Sequence, residues 1–129
     1  MTRKSVLITG ARGFIGSALA RSVSKSGCRV AGLGHGAIPP KRQSRIGLSD
    51  WVNGDIEHAN LQQLVSRTGS YDQIFHLAGA SHVGRSFEYP AEDFSRTVAA
   101  AGNLFEWLRL NCPDLTVVVV SSAAFYGAG

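Results

Sequence analysis

SVLITGARGFIGSALA, residues 5–20, decides how the rest of the chain is read. Its apolar run, Val6, Leu7 and Ile8, has the length and composition of a buried strand. Gly10, Gly13 and Gly16 follow at G-x-x-G-x-x-G spacing. Phe14, Ile15, Ala18 and Leu19 then recur at helical spacing. The stretch reads as strand, glycine turn, helix.

Each glycine has a physical use in such a turn. Gly10 lets the chain reverse sharply as it leaves the strand. Gly13 leaves the backbone bare, so that a pyrophosphate can approach it. Gly16 lets the helix pack closely on the sheet. The helix then directs its free N–H groups and positive dipole end at the phosphates. The setting is that of a dinucleotide site. The competing reading is an ordinary tight turn between strand and helix.

Outward from this stretch the pattern alternates. The helix is expected over residues 13–26, stopped by Gly27, with a second strand at 29–33. Residues 34–47, GHGAIPPKRQSRIG, are rich in Gly, Pro and basic side chains and read as a loop, with a short helix near 44–48. A third strand is expected at 50–53, a helix at 58–67 and a fourth strand at 72–77. Residues 79–89 read as a ligand loop. A long helix is expected over 91–110, with Phe94, Val98, Ala101, Phe105 and Leu108 near one face. A fifth strand is expected at 115–121, where Val117 to Val120 suggest a strand covered on both faces.

The alternation predicts an α/β fold, a Rossmann-type doubly wound parallel sheet of about five strands in order 3-2-1-4-5. A ligand then lies over the carboxyl ends, near the switch between the first and fourth strands. Every one of these ends is polar or small: the glycine turn, Gly34 and His35, Asp55, Ala78 to Ala80, and Ser121 with Ser122. A single nucleotide spanning the sheet would reach all five.

The 129 residues suit one domain, with 44% hydrophobic and 17% charged residues. The net charge of +4 and the cluster Lys41, Arg42 and Arg45 favour a phosphate-bearing small ligand over nucleic acid, although a solvated basic loop explains them equally well. Cys28 and Cys112 form no redox or metal pattern, and no run is long enough to span a membrane. The expectation is a cytoplasmic protein with reduced thiols and no signal peptide. Nothing completes a metal site around His76 and His82, so no metal is expected.

A NAD site usually carries an acid about 20 residues beyond the glycines, bonded to the ribose hydroxyls. Here that place is Gly34. A ribose phosphate would meet no repulsion, and His35, Lys41 or Arg42 could pair with it, so the choice between NAD and NADP stays open with a lean to NADP. Asp55 is placed to accept from an adenine amino group, with Ile56 over the ring; the competing role is capping the helix that starts near His58. Ser122 is placed to polarise a substrate oxygen; the competing role is satisfying turn backbone.

TGARGFIG (residues 9–16) resembles the T-G-x-x-G-F-I-G turn of extended short-chain dehydrogenases/reductases. GDI (54–56) resembles their acidic adenine motif, HLAGASHVGRSFEYP (76–90) the H-L-A-A-x-S-H-V-x-x-S-x-x-x-P of nucleotide-sugar epimerases and 4,6-dehydratases, and SSAAFYG (121–127) their S-S-x-x-V-Y-G. The resemblance implies that Gly10, Gly13, Phe14, Ile15 and Gly16, with Arg12, cradle the pyrophosphate. It implies that Asp55 and Ile56 hold adenine and that Leu77, Ala78, Gly79 and Ala80 line the ribose and nicotinamide side. By the same correspondence Ser122 is the catalytic Ser/Thr, and Ser81, His82 and Ser86 approach a nucleotide sugar.

The chain departs from the family in two places. Thr97-Val98-Ala99-Ala100-Ala101 stands where the family has N-V-x-G-T, and Tyr71, Tyr89 and Tyr126 do not form the family's Tyr-x-x-x-Lys. The expectation is therefore the cofactor-binding, N-terminal portion of an epimerase or dehydratase, truncated before its substrate part and inactive alone. The alternatives are a non-catalytic dinucleotide-binding or regulatory module, and part of an NADP-dependent carbonyl reductase. An uncovered fifth strand would also predict self-association through that strand or helix 91–110; a monomer in sedimentation at high concentration would contradict it.

Overall fold

The computed structural model describes residues 3–80 and 83–128. Five parallel strands form one sheet: β1 (Ser5–Thr9), β2 (Arg29–Gly34), β3 (Asp50–Asn53), β4 (Gln73–His76) and β5 (Thr116–Val119). Their spatial order is β3-β2-β1-β4-β5, as the sequence alternation predicts. All five residues of β1 are buried, which is why its apolar run is continuous rather than alternating.

The period-2 geometry of the strands divides the core in two. Val6, Ile8 and Val30 face helix α1 (Phe14–Lys25) and helix α2 (Pro40–Ile46). Leu7, Ala31, Leu33 and Ile74 face helix α3 (His58–Thr68) and helix α6 (Ala100–Asn111). Helices α4 (Val83–Glu88) and α5 (Pro90–Phe94) precede α6.

Four expectations are corrected. The short helix after β2 starts earlier than residue 44, because Pro40 occupies a first-turn position and Gly47, at φ +85°, ends it. The segment read as a ligand loop contains α4, although Ser81 and His82 lie outside the described residues. The long helix of residues 91–110 carries a π turn at Ser95–Ala99. That turn breaks the 3.6-residue period assumed for a single apolar face. The sheet takes the stripe Ala100, Leu104, Trp107 and Leu108, and leaves Phe94, Val98 and Phe105 exposed. Finally, the valine run is not covered on both faces among the described residues: Val118 and Val120 are exposed and Val119 is 50% exposed, and at its edge β5 pairs only with β4.

Helix α1 shows a similar shift. Gly16 and Ala20 are buried, with Leu19 and Val23 packed beside them, whereas Phe14 is 94% exposed. The two residues after Gly13 belong to the rim of a cleft rather than to the core.

Candidate functional site

The site is built where β1 and β4 diverge. Gly10 takes φ +74°, and its amide donates to the Leu33 carbonyl at 2.8 Å. A Cβ on Gly10 would lie 2.9 Å from the Ala78 amide nitrogen, so a side chain is excluded by both conformation and space. On Gly16 it would lie 2.1 Å from the Gly10 carbonyl oxygen. The turn and the helix can touch only because both residues are glycine.

Thr9 ties the two strand ends together. Its buried Oγ1 accepts from the amides of Leu77 at 3.1 Å and Ala78 at 3.2 Å. Its proton is then free for His76 Nδ1, 2.7 Å away. With Nδ1 accepting, the neutral ring carries its proton on Nε2. Thr9 and His76 thereby fix the path of residues 77–80.

Burial holds the His76 pKa below the ordinary histidine value of 6.5. The unfolded chain therefore takes up this proton at higher pH than the folded chain does. The His76 contribution to stability is full above about pH 6.5 and is lost as the pH falls below it. We expect the urea midpoint to drop between pH 7.5 and 5.5, and to drop less in His76→Gln. Equal slopes in the two proteins would contradict this.

Helix α1 opens at Gly13 without a side-chain cap and without an acid in its first turn. Among the described residues the amides of Phe14, Ile15 and Gly16 have no protein acceptor. They open into a cleft of about 460 Å³, lined by the glycine turn, Arg12, Gly34, His35, Leu77, Ala78, Gly79 and Val120. Gly34, His35, Ala78 and Gly79 also line an adjoining hollow of about 310 Å³ that contains Asp55 and Ile56. The two volumes are in the range of small-molecule and cofactor sites. Three unpartnered amides beside an arginine, at a positive helix end, fit a pyrophosphate.

The hollow places His35 and Asp55 differently from the sequence expectation. His35 Nε2 lies 2.5 Å from Asp55 Oδ1, so the imidazole engages the carboxylate rather than standing free for a phosphate. Asp55 does not cap α3 with its side chain: the cap position is Glu57, and the Asp55 carbonyl accepts from Asn60 Nδ2 at 2.7 Å. Asp55 remains 75% exposed on its side chain, open to a ligand edge.

The remaining expected residues are spread more widely. Ala80 and Ser86 line a smaller hollow with Arg85, Tyr89, Glu92 and Arg96, next to the cleft. The Ala80 amide donates to Thr97 Oγ1 at 3.1 Å. Ser86 Oγ donates to the Val83 carbonyl inside α4. Ser122 is exposed and does not line the cleft; its Oγ accepts from the Ala124 amide at 3.2 Å, capping a 3-10 turn at Ala123–Tyr126. Among the described residues no helix is long and apolar enough to cross a membrane.

Several residues that shape the site escaped the sequence reading. Asn103, from α6, donates to the Ile56 carbonyl at 3.0 Å and holds the loop that follows β3. Asn53 Oδ1 accepts from the Gly36 amide at 2.8 Å. Thr97 is marked in sequence only as a departure from the family's Asn.

Residues 6–129 match the model of the NAD dependent epimerase/dehydratase family. UDP-glucuronate 4-epimerase 1 of Arabidopsis thaliana is 32% identical over 95% of this chain and 30% of its own length. UDP-glucose 4-epimerase of Yersinia enterocolitica is also 32% identical, over 95% of this chain and 38% of its own. UDP-glucose 4-epimerase from Brucella ovis, solved in complex with NAD, superposes with a TM-score of 0.80 at 30% identity, covering 96% of this chain and 37% of that one. The chain thus spans about a third of the length of these relatives. With its glycine turn, strand order and near-complete match, the chain belongs to the NAD-dependent epimerase/dehydratase family.

Proposed function

We propose that this chain is the NAD(P)-binding portion of a nucleotide-sugar epimerase or dehydratase. The observation that carries the reading is the cleft at the β1–β4 switch, where three unpartnered amides of α1 face a space continuous with Asp55 and Ile56. The nicotinamide ring, when bound, supplies reversible hydride transfer. The chain's own residues bind and orient. The turn at residues 10–16 receives the pyrophosphate, Asp55 accepts from the adenine amino group with Ile56 against the ring, and residues 77–80 border the nicotinamide side.

Proton transfer is the step for which these residues make the least provision. Tyr71 sits at the opposite end of the sheet, buried, with its hydroxyl bonded to Thr68 Oγ1 and its pKa raised by burial. Tyr71 and Tyr89 have Phe75 and Asp93, not Lys, four positions on. Such acid–base help is worth about 10²–10⁴-fold. The relatives named above act on UDP-glucose and UDP-glucuronate, and we assign a UDP-hexose-like substrate to the complete enzyme.

The test is to incubate the chain with NAD or NADP and UDP-glucose or UDP-glucuronate. Dinucleotide binding without epimerisation above background is expected. Turnover by the chain alone would overturn the division of labour, and failure to bind either dinucleotide would overturn the assignment.

A further inference from the structure

The charges of this chain are divided along its length. All nine Asp and Glu residues lie at or beyond Asp50, whereas nine of the thirteen Lys and Arg residues lie before it. The fold turns this division into one between faces. Both helices of one layer, α1 and α2, come from the stretch without acids. Helices α3 and α6, which cover the opposite face of the sheet, come from the acidic remainder. Such a sign asymmetry marks a surface that attracts a polyanion.

Helices α1 and α2 lie side by side and run the same way. Arg42, in the first turn of α2, donates to the Arg12 carbonyl just before α1 at 3.3 Å. Gly47, which ends α2, abuts the last turn of α1, where a Cβ on it would meet the Ser24 Cβ at 2.6 Å. Arg21 and Lys25 fall four residues apart on α1, and Lys41 and Arg45 four apart on α2, so each pair shares one face of its helix. All four are exposed, whereas Gly16, Ala20 and Ile46 take the buried faces. Ala18, Ser22 and Ser44, the exposed residues interspersed with them, are short and leave the charged groups standing above their neighbours. Arg3 extends the surface past the end of α1, where it donates to the carbonyls of Gly27 at 2.9 Å and Cys28 at 3.2 Å. Among the described residues none of these cations is paired with a carboxylate.

We infer that the α1–α2 face docks this chain peripherally on an anionic lipid bilayer. Two adjacent helices lying along the sheet present their cations in a plane, which matches a plane of phosphate and carboxylate headgroups. Each Lys or Arg near such a surface strengthens binding about fivefold. The acidic layer behind is repelled by the same surface, so the field orients the molecule as well as attracting it. A nucleic-acid duplex would call for an element that reaches into a groove, and both helices lie flat on the sheet. The dinucleotide cleft opens at the carboxyl ends of the strands, beside this face, and the docking does not depend on it.

Co-sedimentation of the whole chain with vesicles tests it, using phosphatidylcholine alone and phosphatidylcholine with phosphatidylserine in equal parts. The chain is expected to sediment with the mixed vesicles, to stay in solution with the neutral ones, and to be released as salt is raised. Arg21→Glu is expected to weaken binding roughly tenfold or more, and its combination with Lys25→Glu and Arg45→Glu to abolish it. Arg109→Glu makes the same change of charge on α6, across the sheet, and is expected to move binding less than about twofold. A thermal melt shows whether each variant is folded. Arg21→Gln with Lys25→Gln, which adds no repulsion, is expected to weaken binding in the same direction. Equal sedimentation with both kinds of vesicle, or none with either, would overturn the proposal. Equal weakening by Arg21→Glu and Arg109→Glu would show that net charge and not this face is responsible, and would overturn it too. Tighter binding to a DNA duplex than to the mixed vesicles at the same salt would overturn the assignment to lipid.

Discussion

Gly16→Ala is expected to lower the stability of the chain by about 3 kcal/mol and its melting temperature by about 10 °C or more. The added methyl would sit 2.1 Å from the Gly10 carbonyl oxygen and 2.9 Å from the Ala11 Cα. Both obstacles are backbone, so no rotamer change relieves them. Helix α1 would have to move off the turn, away from the buried contacts of Ala20 and Ala11. The movement would also misplace the amides of residues 14–16. Losing one charge-assisted hydrogen bond of about 1.5–3 kcal/mol weakens dinucleotide binding roughly ten- to a hundredfold.

Gly13→Ala supplies the contrast. Gly13 has φ −72°, open to any residue, and its Cβ would meet only the Gly10 carbonyl oxygen, at 3.3 Å. That variant should stay folded and lose binding, because the methyl would stand where the pyrophosphate approaches. Melting curves and dinucleotide titrations of the two variants separate packing from binding. Equal destabilisation by both would show that close helix packing is not what Gly16 provides.

Thr9→Val is expected to cost about 2 kcal/mol, because it strands a buried ring nitrogen and a half-buried amide at once. The Ala78 amide would lose its acceptor and His76 Nδ1 its donor. The Leu77 amide would keep its 3.2 Å bond to the Thr9 carbonyl, so the strand pairing itself survives. Valine matches threonine in shape but not in the hydroxyl, which is why the exchange is not conservative here. Thr9→Ser keeps the oxygen and should restore most of the stability. Urea unfolding of the two variants checks this, and a Thr9→Val protein as stable as the parent would show that Thr9 is not the tie between β1 and β4.

The same contrast between local and remote partners explains what could be read from the sequence. The third strand was legible to the residue, Asp50–Asn53, because a short apolar pair is bounded by turn residues on both sides. The strand order was legible because each strand is followed by a helix-length segment. The buried face of the last helix was not, because residues 91–110 carry two apolar stripes and the π turn at Ser95–Ala99 has no composition signal. Gly10, Gly13 and Gly16 announced the turn, and the obstacle at Gly16 is the Gly10 carbonyl of the same motif, but the obstacle at Gly10 is the distant Ala78 amide. The pairing of His35 with Asp55 and the closure of Gly34 by Trp51 join residues 17 to 20 positions apart through adjacent strand ends. No local pattern reports such contacts.

The most direct test of the dinucleotide site is an amide NMR titration of this chain with NAD and NADP. The expected result is a set of shifted signals confined to residues 10–16, 34–35, 55–56 and 77–80, with the largest changes at Phe14, Ile15 and Gly16. No shifts at millimolar dinucleotide, or shifts gathered at the opposite end of the sheet around Asp50 and Arg67, would contradict it.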